Sequence, residues 1–147
     1  MRLSITSEYA IQAMLYLSEV PLGESVRISS ISESREIPES LLRKIMAQLR
    51  RSGLIFTIRG KGGGVQLAKS ANSISLLDII ESIEGKIFLN KCLISTDICS
   101  RTYICGVHNV WRSVQDQMKE TLNKSNLASL VQEETILKRN YNLGGTR

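Results

Sequence analysis

The chain has 147 residues, a net charge of +5, 42% hydrophobic residues, three cysteines and one histidine. No apolar run approaches the roughly 18 to 20 residues needed to cross a bilayer, so a membrane role is not expected. The odd cysteine count, with a start at Met1-Arg2-Leu3-Ser4 that lacks the basic-then-apolar pattern of a secretory leader, argues against a disulfide framework and predicts free thiols in the cytoplasm.

Ser7 to Glu19 is predicted as a helix, with Ala10, Met14 and Leu17 on one face, Ser7 as its cap and Pro21 as its stop. Arg27 to Glu36 predicts a short serine-rich helix that buries Ile28 and Ile31. Pro38 suits the first position of a stronger helix running toward Gly53, whose apolar face is Leu41, Leu42, Ile45, Met46 and Leu49. Two helices joined by a tight turn, the second bearing Arg43, Lys44, Arg50 and Arg51, form a helix-turn-helix candidate. The period then changes. Leu54 to Ile58 and Val65 to Ala68 are β-rich and flank Arg59-Gly60-Lys61-Gly62-Gly63-Gly64, which predicts a hairpin with a basic glycine-rich tip, a wing after the helix-turn-helix. The glycine run does not match a phosphate-binding loop, since no Gly-Lys-Ser/Thr ends it and no helix follows.

Ser75 to Glu84 is predicted as a helix closed by Gly85, and Lys86 to Tyr103 as a loop without clean period. From Gly106 to Lys124 the stripe Val107, Val110, Trp111, Val114, Met118 and Leu122 predicts a helix about 27 Å long at roughly 1.5 Å per residue. A helix this long on a small protein is expected to bury its stripe against a second copy. Leu127 to Val131 is expected to add a last short helix, and Asn140 to Arg147 a frayed end.

Charge and sulfur are both localised. Arg27 to Lys69 holds nine basic residues and three acids, a local +6 that leaves the rest of the chain at −1. Such a patch is the footprint of a nucleic-acid binder. All three cysteines fall in fourteen residues, Cys92-x6-Cys99-x5-Cys105, with His108 three positions beyond. Three thiolates and an imidazole are the ligand set of a closed zinc site or an iron-sulfur cluster. Cys105 and His108, three apart at a helix start, share a face. The wide irregular spacing suits a cluster better than the short Cys-x2-4-Cys knuckle common in zinc sites, although a zinc-stabilised winged-helix DNA-binding module stays open. Enzymatic function is not expected, because the Cys-His pair has no third orienting group, carboxylate pair or cofactor fingerprint beside it.

Met1-Arg2-Leu3 with Tyr9-Ala10, the Leu41 to Gly53 helix, the Arg59 to Gly64 tip, Leu77-Asp78-Ile79-Ile80, the cysteine trio and Leu127-Ala128-Ser129-Leu130-Val131 carry a family likeness. Over nearly its whole length the chain resembles the winged-helix iron-sulfur transcription regulators of the IscR/NsrR family. The resemblance implies a homodimer with crossed long helices, DNA reading in the major groove, and a cluster that sets operator affinity. It matches Ser40, Arg43 and Lys44 to recognition-helix contacts, Arg59 to a wing arginine in the minor groove, and Cys92, Cys99 and Cys105 to the cluster cysteines. Two patterns overlap at the fourth ligand: His108, as in a 2Fe-2S site, or Glu8 supplied by the other subunit, as in a 4Fe-4S site. Arg43 stands where IscR has an acid, so the operator need not be shared.

The expected fold is therefore mainly α with a small β-hairpin, a winged helix-turn-helix DNA-binding domain plus a long dimerisation helix. Residues 1–84 are expected to form the DNA-binding domain, with its first helix also packing on the dimerisation helix. Residues 85–135 are expected to form the cluster-binding loop and dimerisation helix, and 136–147 a flexible tail. The candidate DNA contacts are Arg27, Ser40, Arg43, Lys44, Arg50, Arg59 and Lys61, and the expected activity is repression of transcription from a double-stranded operator.

Overall fold

The computed structural model describes residues 2–144. The first helix, α1 (Ile5–Ser18), is capped by Ser4, whose Oγ accepts from the Ser7 amide at 3.2 Å. The cap therefore lies three residues before the expected Ser7, which is buried inside the first turn. One face of α1, with Ala10, Ala13, Met14 and Leu17, is sealed in the core. Its main neighbours within the chain are α3, α4 and α6 rather than the long helix.

The two-helix unit is α2 (Ile28–Arg35) and α3 (Glu39–Arg51). Glu36 makes the turn between them in the left-handed region, φ 52°, unusual for a residue with a side chain. Ser32 holds that turn, its carbonyl accepting from the Ile37 amide at 3.0 Å and its hydroxyl donating to the Ile37 carbonyl at 2.6 Å. Pro38 sits just before α3 rather than in its first position, and Leu42, Ile45, Met46 and Leu49 are buried as their spacing requires.

The wing is an antiparallel pair, β1 (Ile55–Ile58) and β2 (Gly64–Leu67), in register from Ile55 opposite Leu67 to Ile58 opposite Gly64. Val26 extends it, exchanging two 2.8 Å backbone hydrogen bonds with Val65, and the Ser25 hydroxyl donates to the Gly62 carbonyl at 2.9 Å. Backbone proximity explains two glycines: a Cβ on Gly63 would stand 2.3 Å from the Ile58 carbonyl oxygen, and one on Gly64 2.2 Å from that of Val26.

Ser75 and Asp78 cap the next helix, α4 (Leu76–Glu84), reciprocally, amide to side chain at 2.9 and 3.0 Å. The segment expected as loop is a series of tight turns, including a 3-10 turn at Lys91–Leu93 capped by Asn90. The long helix α5 (Gly106–Lys124) follows as expected. The last helix, α6 (Leu127–Gly144), does not stop near Val131, so residues 136–144 of the expected tail are helical, while 145–147 lie outside the described residues. Leu127 is fully buried in the core that α1, α2, α3 and the hairpin share.

Candidate nucleic-acid interface and metal centre

All seven basic or polar residues proposed to meet DNA are solvent-exposed. Arg27, just before α2, and Arg43 of α3 line one concavity of about 310 Å³ with Thr57, Ile58, Gly63 and Gly64 of the wing. Lys44 faces a different groove, between α1, α3 and α4, which it shares with Arg51. Arg59 and Lys61 occupy the hairpin tip, and Arg50 the last turn of α3. The start of α2, the exposed face of α3 and the hairpin tip thus carry positive charge at separate points, a distribution suited to following a phosphate backbone.

Two features of this surface were not anticipated from the sequence. Arg35, counted in the basic segment, turns inward to pair with Glu19 at 2.9 Å and Glu134 at 3.2 Å, so it adds nothing to a DNA face. Glu39 accepts from Arg43 Nε at 3.1 Å, so Arg43 is already paired within α3. The four-residue spacing of Glu39 and Arg43 was the available signal.

The four proposed metal ligands of this chain share one cavity. Cys92, Cys99, Cys105 and His108 line one cavity of about 460 Å³ with Ile98, Thr102, Val107 and Trp111 among its walls. Local chain chemistry puts each there. Cys92 rides on the capped 3-10 turn, Cys99 is fixed by Thr102, whose amide and hydroxyl donate to its carbonyl at 3.1 and 2.8 Å, and Cys105 precedes the first residue of α5. All three are free and half-buried. Among the described residues no three His, Cys, Asp or Glu side chains converge tightly enough to hold a single metal ion.

His108 is buried, and among the described residues its Nδ1 has no hydrogen-bond partner while its Nε2 lies 2.9 Å from Arg112 Nη2. A buried, unpartnered ring nitrogen beside three thiols fits an iron-sulfur or zinc ligand set. Glu8 is exposed in the first turn of α1 and does not line this cavity.

Three residues outside the expected site tie it to the rest of the fold. Gln115, buried in α5, accepts from the Leu89 amide at 3.0 Å, and Glu81 of α4 accepts from the Ile87 amide at 3.3 Å. Lys119 of α5 reaches the same Glu81 at 3.5 Å and lies 5.1 Å over the Phe88 ring. The stretch leading into the cysteines, Ile87 to Leu89, is thereby tied to both α4 and α5.

Among known proteins, residues 3–133 match the Rrf2 model, described as an iron-dependent transcriptional regulator. The chain is 32% identical over 137 residues to the HTH-type transcriptional regulator IscR of Pectobacterium carotovorum, covering 93% of this chain and 83% of the relative. It is similar in structure to T. potens IscR, with 28% identity, a TM-score of 0.72, and 91% and 88% of the two chains covered. It is equally similar to CymR, the global cysteine regulator of B. subtilis, with 25% identity, a TM-score of 0.75, and 90% and 98% covered. Since a regulator described for cysteine shares the fold as closely as IscR does, the cofactor has to be argued from the residues themselves.

Proposed function

This chain belongs to the Rrf2 family and is a DNA-binding transcriptional regulator, and from that premise we propose that it is a homodimeric repressor whose operator affinity is set by an iron-sulfur cluster on Cys92, Cys99 and Cys105. The observation that carries this reading is the single cavity lined by all three thiols and by buried His108. His108 is the fourth ligand this chain itself offers; Glu8 from a second copy is the alternative. Bound there, such a cluster supplies a centre that iron supply, redox state or nitric oxide can alter.

The chain's own residues carry the consequence to DNA. Thr102 and Asn90 fix the turns that hold Cys99 and Cys92, so ligation would order a segment whose entropy otherwise favours many conformations. Glu81 and Gln115 pass that order to α4 and α5, and α4 packs on α1 and α3. The position of α3 relative to its counterpart in a dimer is then biased by the cysteine segment. A useful switch needs about 1 to 3 kcal/mol of such coupling, roughly 5 to 150-fold in affinity.

A second copy is supported by α5. Val107, Val110, Trp111 and Val114 are all exposed along one stripe of this helix, in contrast to the sealed apolar face of α1. Isolated exposed apolar residues are ordinary, but a continuous stripe on a long helix is the pattern of an interface.

Anaerobic reconstitution with ferrous iron and sulfide tests the proposal. The wild type is expected to turn brown with bound iron and sulfide, and Cys92→Ala or Cys105→Ala to lose the visible absorbance and shift operator binding by 5 to 150-fold, as the coupling predicts. Colourless zinc-loaded protein would replace cluster sensing by a structural metal, and full colour with unchanged binding in both variants would remove the cysteines from the switch.

A further inference from the structure

The two ring nitrogens of His108 are in opposite circumstances. Nε2 lies 2.9 Å from Arg112 Nη2, whereas Nδ1 is buried without a partner. Residues 108 and 112 are one helical turn apart on α5, so the backbone itself delivers the guanidinium to the imidazole. A guanidinium has no acceptor, so Nε2 receives the hydrogen bond and the neutral ring carries its proton on Nδ1.

Ligation by this histidine conflicts with that arrangement. A histidine that binds metal through one nitrogen ordinarily donates the N–H of the other to a carboxylate, carbonyl or water. If iron takes Nδ1, the proton leaves that atom and Nε2 becomes the protonated nitrogen, pointing at a donor-only guanidinium. If iron takes Nε2, the lone pair used by Arg112 is consumed. Either way the Arg112 contact and the metal bond exclude each other. Arg112 is exposed overall and, among the described residues, has no ion-pair partner and no side-chain hydrogen bond other than the one to His108.

We propose that Arg112 is a built-in competitor for the fourth ligand: its guanidinium occupies His108, has to swing away before His108 can bind iron, and so weakens cluster retention. The proposal rests on reading His108 as the ligand. It assigns to Arg112 the role of a positioning residue that keeps the fourth bond exchangeable, which is what a sensor needs and a structural metal site does not.

Two measurements test it. In metal-free protein the single histidine gives one set of ring nitrogen signals by 15N NMR, and the Nδ1–H tautomer is expected; finding Nε2–H would overturn the Arg112 contact without reference to any metal. In protein reconstituted with ferrous iron and sulfide, loss of visible absorbance to a ferrous chelator is followed in wild type, Arg112→Met, His108→Ala and the double variant. Arg112→Met is expected to bind the cluster about fivefold more tightly, the worth of one hydrogen bond of about 1 kcal/mol. In the His108→Ala background the same change is expected to do nothing. Equal or weaker retention in Arg112→Met, with His108→Ala clearly labile, overturns the competitor role while the ligand assignment stands. If His108→Ala retains the cluster as well as wild type, or the wild type takes up none, the ligand reading has failed and the proposal falls with it.

Discussion

The two halves of this molecule are finished to different degrees. From α1 to β2 most of the apolar residues that pattern predicts are sealed: Ala10, Met14, Ile31, Leu42, Ile45 and Leu49 have no measurable exposure, while Ile28 and Leu41 are only partly buried. In α5, nineteen residues long, only His108 and Gln115 are buried, and both are polar. The first region is sealed, whereas the second presents an apolar stripe outward, sets His108 at the cysteine-lined cavity and uses Gln115 to hold the Leu89 amide. A reading head whose core is sealed within the chain, closed by Leu127 of α6, beside a helix whose apolar stripe faces outward is the division of labour the proposed switch requires.

That contrast is sharpest under truncation of the core. Leu49→Ala removes a fully buried side chain from α3 and is expected to lower unfolding free energy by about 2 to 5 kcal/mol, read by urea denaturation. Val114→Glu, on the exposed stripe of α5, is expected to leave the fold of each chain intact but to weaken self-association at least about 100-fold, near 3 kcal/mol on the scale of interface hot spots. Sedimentation at micromolar concentration reads this directly. A dimer that survives the substitution would place the interface elsewhere and undo the comparison.

The same contrast decides what could be read from sequence. Period and capping signals lay in the reading head, so α3, the wing and α4 were legible within a residue or two, and the Ser75–Asp78 capping box is visible as Ser-x-x-Asp before an apolar run. The cap of α1 was misplaced because Ser4 and Ser7 are equivalent in type and both hydroxyls reach Glu84; only the backbone, extended at Ser4 and helical at Ser7, separates them. α6 was expected to end near Val131, yet it continues through Glu134, which reaches back to Arg35, a partner ninety-nine residues away that no local pattern encodes. The clustering of the cysteines at one cavity was legible because thiols are rare in the chain. Its anchors Glu81, Gln115 and Lys119 were not, since each looks like an ordinary polar helix residue until the segment folds over it.

On the reading head, Arg59 offers a smaller and more specific effect. It is exposed at a hairpin tip held by Gly63 and by the Ser25–Gly62 bond, so its removal should disturb nothing but charge. Arg59→Ala is expected to weaken operator binding by about tenfold and to flatten the salt dependence by a slope of about 0.9, one phosphate-equivalent of released counterions. Affinity unchanged at every ionic strength would take the wing off the DNA.

The smallest expected effect lies where the halves join. Glu84, at the end of α4, accepts from the Ser4 hydroxyl at 2.6 Å, the Ser7 hydroxyl at 2.6 Å and the Ser4 amide at 2.9 Å, all on Oε1. These bonds, Ser4 Oγ first, then Ser7 Oγ and the Ser4 amide, hold its carboxyl below the ordinary value of 4.5. A carboxyl lowered by folding stabilises above its unfolded value, and that contribution is lost as pH falls through the folded one. Because Glu84 is exposed, solvent screening keeps the gain under about 1 kcal/mol. Glu84→Gln is therefore expected to be slightly less stable than wild type at pH 7 and indistinguishable from it once the pH is well below 4.5, as measured by urea unfolding at both. A gap that persists in acid would mean that shape rather than charge joins α4 to α1. A gap confined to neutral pH would make this carboxylate the electrostatic part of the joint through which the cysteine segment reaches the reading head.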